Sequence, residues 1–152
     1  MNASLQIGKL AGIPVKLHWS FLLVIPLFAW IIGSQIRLTT ELIATLFGVP
    51  IDVTLIAAGL NPYILGSIVA LGLFVGVFIH EMAHSLIAKA KGIEIHSITL
   101  LILGGVSQME ETMPDPRIEL PMALAGPMTS LALGLISAAL VYIFDAVVPD
   151  PA

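Results

Sequence analysis

His80, Glu81, Met82, Ala83 and His84 form an H-E-x-x-H motif. On a helix each residue advances about 100°, so His80 and His84 share one face about a turn apart. Both imidazoles can then reach one tetrahedral zinc ion, and Glu81 beside them can act as general base on a water the metal activates. The motif stands inside an apolar run, with residues 75–91 reading VGVFIHEMAHSLIAKAK. A central acidic residue at bilayer depth costs about 2.5–3.5 kcal/mol on insertion scales, so such a cluster is read as functional by default. Two other readings stand beside this one. The first is a chance motif whose polar groups satisfy one another within a helix bundle. The second is a soluble metalloprotease helix, against which the flanking apolar residues argue.

The elements that must position these residues are those of a membrane protein. The chain has 152 residues, 58% hydrophobic and 11% charged, with a mean hydropathy of +1.04; soluble domains carry about 25% charged residues. That length allows one compact domain or a bundle of a few spans. Only six residues are basic and they form no block, which excludes nucleic acid as a partner. Cysteine is absent, so disulfides, thiolate ligands and cysteine nucleophiles are excluded and any metal is held by His, Asp or Glu. The N-terminus lacks the pattern of a cleaved signal peptide, and the first apolar run is expected to be retained as a span.

Three spans are expected. Residues 17–36 carry no formal charge over 20 positions, enough to cross a core about 30 Å thick. Pro26 should kink this span, and His18 and Trp19 open it where an interfacial aromatic belt is expected; an interfacial hydrogen bond suits His18 better than a metal. The preceding segment is mixed and mildly basic, with a turn at Gly12 and Pro14. Residues 38–62 are interrupted and too short to cross. Thr40 is expected to cap a short helix there with Leu42, Ile43, Leu46 and Phe47 on one face, lying at the interface or over the bundle. The second span, 63–88, carries Gly66, Gly72 and Gly76 for close helix contact and the H-E-x-x-H motif in its C-terminal half. Gly92 is a left-handed stop.

Residues 93–106 alternate Ile93 and Ile95 with Glu94 and His96, a period of two that predicts one or two strands, or a re-entrant loop, ending at Gly104-Gly105. On the polar face, His96 reads as a surface histidine rather than a third ligand. Residues 107–119 are the most polar stretch, with Glu110, Glu111 and Asp115 expected in a solvated loop. Residues 120–144 form the third span, with Gly126-Pro127 and the pair Thr129-Ser130. The fold class is therefore expected to be an all-α membrane protein: a polytopic bundle of about three transmembrane helices with a short strand or re-entrant segment between spans two and three. With the N-terminus inside, Lys9, Lys16, Lys89, Lys91 and Arg117 are cytoplasmic and only Arg37 lies outside. That distribution obeys the positive-inside rule and predicts a multi-pass cell-membrane protein with its N-terminus in the cytoplasm.

The order GIPVKLH (12–18), FIHEMAHS (78–85), LLILGGV (100–106) and AGPMTS (125–130) resembles the site-2 protease family of intramembrane zinc metalloproteases, in particular its small microbial members. The resemblance implies that His80 and His84 bind zinc, that Glu81 is the catalytic glutamate, and that Gly104-Gly105 lies in a strand near the active site where an extended substrate can add as a strand. It also implies a transmembrane protein as substrate. The family's third ligand is an aspartate in an L-D-G motif on a further span; no L-D-G occurs in this sequence, and Asp145 and Asp150 follow the third span too closely to take the role. Residues 1–152 are accordingly expected to be a single membrane-embedded protease core domain, truncated at its C-terminus. The competing functions are a membrane protein that binds or transports zinc without proteolysis, and a non-catalytic fragment that binds substrate helices.

Overall fold

The computed structural model describes residues 4–48, 50–101, 104–109 and 115–147. Strands β1 (Ser4–Leu10) and β2 (Ile13–His18) form an antiparallel hairpin. Its two-residue turn, Ala11-Gly12, has φ of 51° and 79°, the paired positive values that match the twist of flanking strands. Ala11 takes a conformation that Gly, Asn or Asp adopts more readily. The expected mixed leader is thus a hairpin, and the chain is not all-α.

Helix α1 (Trp19–Ser34) starts directly after β2, where the His18 ring nitrogen Nδ1 accepts the Ser20 N–H at 3.2 Å. His18 therefore does the hydrogen-bonding work expected of it, as a helix cap. The first span is shorter than expected because Leu17 and His18 belong to the sheet. Helix α2 (Ile36–Phe47) follows a break at Gln35 and is bent by 57° from α1. Thr40 does not cap it: α2 begins four residues earlier, and Thr40 is a buried interior residue. Leu42, Ile43, Leu46 and Phe47 remain exposed. The short α3 (Val53–Ile56) is capped by Asp52, whose carboxylate accepts the N–H groups of Thr54 and Leu55.

Helix α4 (Asn61–Ala90) is the central element, packing on α1 along one side and on α5 (Pro116–Val147) along another. Pro62 stands in its first turn, where the missing N–H would be unpaired anyway, and the helix stops just before Gly92 at φ 84°. Gly66 lets α1 approach: a β-carbon there would stand 2.5 Å from the Ala29 carbonyl oxygen and 3.1 Å from the Gly33 nitrogen. Gly72 and Gly76 make no such approach, so the glycine face expected along this span is a contact at Gly66 alone. Phe21 and Phe74 meet edge to face at 4.5 Å and lead a core with Val24 and Leu100.

Strands β3 (Ile95–Leu101) and β4 (Gly104–Met109) are antiparallel, and β2 pairs in parallel with β3, giving a four-stranded sheet of order β1-β2-β3-β4. Gly104-Gly105 opens β4 rather than ending the strand region. The sheet packs on α4 through Ile13, Val15, Ile98 and Met82. Ser107 and Gln108, expected in a polar loop, belong to β4. Asp115 accepts the Arg117 N–H at 2.9 Å where α5 starts, and Glu110, Glu111 and Asp150 lie outside the described residues. Among the described residues two helices, Asn61–Ala90 and Pro116–Phe144, are long and apolar enough to cross a membrane, and the bent pair α1–α2 raises the count to three if it forms one span.

Candidate metal centre

Helices α4 and α5 run antiparallel, so residues rising along one meet residues falling along the other. His80 and His84 project from α4 towards α5, with their Nε2 atoms 3.1 Å apart and ring centroids 4.8 Å apart. His84 Nδ1 lies 2.6 Å from the Met122 carbonyl oxygen. A carbonyl only accepts, so Nδ1 carries the hydrogen and Nε2 presents a lone pair. His80 Nδ1 lies 2.9 Å from Ser130 Oγ, which can accept in the same way. With Ser130 accepting, two lone pairs face each other and repel unless a cation lies between them; with Ser130 donating to His80 Nδ1, the His80 Nε2–H donates to His84 Nε2 instead.

That observation tests the donor set against zinc. Two imidazoles on a tetrahedral zinc, with Zn–N near 2.0–2.1 Å, hold their nitrogens roughly 3.3 Å apart. The observed separation fits, and each outer nitrogen already has the hydrogen-bond partner that metal-bound histidines characteristically keep. Gly126, between Met122 and Ser130, leaves the space open: a β-carbon there would stand 2.5 Å from His80 Nε2 and nearer still to His84 Nε2. Among the described residues no group of three or more His, Cys, Asp or Glu comes together. His96 is exposed on β3, away from the pair. Asp145 sits fifteen residues beyond Ser130 on α5, about 22 Å along the axis at 1.5 Å per residue.

Glu81 points to the other wall. Strand β4 crosses over it so closely that a β-carbon on Gly105 would collide with Glu81 Cγ. Buried Ser85 fixes that crossing, donating to the Glu81 carbonyl at 3.0 Å and meeting Ser107 Oγ at 2.9 Å. Two open cavities flank Glu81 and Gly105. One, of about 470 Å³, has an apolar wall of Leu73, Gly76, Val77 and Leu133 with His80 and Ser130 at its end. The other, of about 420 Å³, lies beside His84, Ser107, Met122 and Ala123. Glu81 is thus half-buried between two cavities, each of which it lines with Gly105, beside the paired imidazoles.

The H-E-x-x-H motif marked the three α4 side chains. It carried no information about the Met122 carbonyl or the Ser85–Ser107 contact. A signal was present for α5: Met122, Gly126 and Ser130 recur at four-residue intervals, matching the interval from His80 to His84.

The sequence profile of peptidase family M50 matches residues 68–148. A Synechocystis protein named as a candidate zinc metalloprotease is 36% identical over 135 residues, covering 89% of this chain and 32% of that relative. A zinc metalloprotease of Methanocaldococcus jannaschii is 31% identical over 145 residues, covering 95% of this chain and 34% of the relative. The chain therefore spans about a third of the length of these curated relatives. Among solved structures, the site-2 protease from Methanocaldococcus jannaschii superimposes with a TM-score of 0.57 at 27% identity, covering 93% of this chain and 52% of that one.

Proposed function

The chain belongs to peptidase family M50, the site-2 proteases, and from that membership we propose that it hydrolyses peptide bonds within transmembrane segments of membrane-anchored proteins, using zinc held by His80 and His84. The observation that carries the proposal is the convergence of the two Nε2 atoms beside Glu81, which lines the cavities on either side.

Zinc held there would supply Lewis acidity towards a water and a carbonyl oxygen. The chain's own groups do the rest. Glu81 takes a proton from the attacking water as its oxygen bonds to the carbonyl carbon, and delivers that proton to the amine nitrogen as the C–N bond breaks. His80 and His84, anchored through Nδ1, keep their orientation through both steps. A transmembrane helix hides its carbonyls in internal hydrogen bonds, so the substrate must unwind to reach Glu81. Strand β4 is an edge of the sheet and runs over Glu81, which suits an extended segment adding alongside it.

The setting is a multi-pass protein of the cell membrane, N-terminus in the cytoplasm. Supporting this, the Lys89 ammonium donates to the Ala11 carbonyl at 2.6 Å, so the hairpin with Lys9 and Lys16 sits at the same end as Lys89 and Lys91. Arg37 follows Gly33, which packs near Pro62 at the opposite end of α4. A second reading, zinc binding without hydrolysis, draws on the two-histidine donor set among the described residues.

Glu81→Gln separates the two. On the proteolytic reading the variant retains zinc and loses cleavage of a membrane-anchored reporter in reconstituted vesicles. Cleavage at the wild-type rate by Glu81→Gln refutes the assignment of the base, and retained zinc binding in His80→Ala/His84→Ala refutes the metal site.

A further inference from the structure

Helix α5 does more than wall the cleft. The two hydrogen-bond partners of the imidazoles, the Met122 carbonyl and the Ser130 hydroxyl, are eight residues apart on one helix, about 12 Å along its axis at 1.5 Å per residue. His80 and His84 are four residues apart on the facing helix, about 6 Å. The residues that supply the anchors are therefore spaced about twice as widely along their helix as the residues they hold. Each ring is drawn outward by its Nδ1, and each Nε2 is turned inward, over the gap left by Gly126.

The backbone anchor at Met122 is present whatever side chain stands there. The Ser130 anchor depends on its residue type. Its neighbour Thr129 shows the alternative open to a helical hydroxyl, donating to its own helix at the Ala125 carbonyl, 2.7 Å away. Ser130 instead bonds across the interface to His80. Resting on the reading that His80 and His84 hold zinc, we infer that Ser130 is a positioning residue for the metal centre: its hydroxyl accepts from His80 Nδ1, selects the tautomer with the lone pair on Nε2, and aims that lone pair at the site.

The test measures zinc directly on the full chain in detergent, by competition with a chromophoric chelator, for the wild type, Ser130→Ala, Ser130→Thr and His80→Ala. Loss of such a partner typically weakens metal affinity 10–100-fold. Ser130→Ala is expected to fall in that range, and Ser130→Thr, which keeps the hydroxyl, to stay within about threefold of wild type. The proton shift of the His80 Nδ1–H in zinc-loaded protein gives a second readout. It should lie downfield, as a hydrogen-bonded N–H, in the wild type and move upfield in Ser130→Ala, with unchanged helical circular dichroism. Zinc affinity and the Nδ1–H shift both unchanged in Ser130→Ala, while His80→Ala abolishes binding, overturn the role of Ser130 and leave the metal site standing. Wild-type affinity in His80→Ala overturns the metal reading itself, and the inference with it.

Discussion

Two glycines of α4 make opposite predictions from one substitution. At Gly66 a new β-carbon would sit 2.5 Å from the Ala29 carbonyl oxygen, whereas carbon–oxygen contacts settle at about 3.3–3.6 Å. The obstructing atom is backbone, so helices α1 and α4 must part by roughly 0.8–1 Å. A gap of that size forfeits a quarter to a half of each dispersion contact across the crossing, each worth about 0.1–0.2 kcal/mol. Summed over tens of atom pairs, the loss is on the order of 2 kcal/mol, within the usual 1–3 kcal/mol for overpacking. Against it stands the helix-propensity gain of Gly→Ala, about 0.8–1.0 kcal/mol. At Gly66 the steric loss wins and Gly66→Ala is destabilising by about 1 kcal/mol. At Gly72 a β-carbon meets nothing within 4 Å, so only the gain remains and Gly72→Ala is neutral or stabilising. The two variants should therefore differ by about 2 kcal/mol. For a chain of this size that is a separation of roughly 4–8 °C in melting temperature, measurable by thermal unfolding in one detergent. Equal melting temperatures, or Gly66→Ala the more stable, would refute the close crossing of α1 and α4.

Gly105→Ala drives a methyl into Glu81 and should reduce reporter cleavage at least tenfold while zinc affinity stays near wild type; unaltered cleavage argues against the β4 crossing. Gly76 lines the larger cavity and a β-carbon there is unobstructed, so Gly76→Leu should fold normally and select against reporters with bulky apolar residues near the cut, read as a ratio of kcat/KM values. The Thr54 hydroxyl, followed by the Leu55 N–H, holds the exposed Asp52 carboxyl below its ordinary value of 3.8. The depressed pKa means that the α3 cap is in place above the ordinary value and is lost only as pH falls through the lower folded one. Protection factors at Thr54 and Leu55, taken against the intrinsic exchange rate, should accordingly persist just below pH 3.8, and their loss by that pH would count against the cap.

How much of this was legible from the residues depends on where the information sits. The long helices were readable because apolar length is local: 63–88 becomes Asn61–Ala90, and 120–144 lies within Pro116–Val147. The N-terminal hairpin was missed although Ile13, Val15 and Leu17 alternate. Its turn is Ala-Gly rather than Asn-Gly, and β1 is largely exposed, so neither turn nor burial pattern announced it. Its parallel pairing with β3 joins residues some eighty positions apart, which no local pattern encodes. In the site, the motif marks His80, Glu81 and His84 because one helix carries all three. The Ser130, Met122 and Gly105 contacts come from α5 and β4 and exist only once three elements pack. Thr40 misled because a hydroxyl residue inside a helix carries the same local signal as one at its start.

Pro127 lies inside α5, one position past Gly126. Lacking an N–H, it cannot complete the helical ladder to Ala123 four residues back, and Ala123 lines the cavity beside His84. The carbonyl oxygen so released from the ladder adds an acceptor beside a cavity that Glu81, His84 and Ser107 also line. On the proposed proteolytic function one molecule of water is consumed per cut, and a helix with a rung missing beside this cavity would give that molecule an acceptor to rest on.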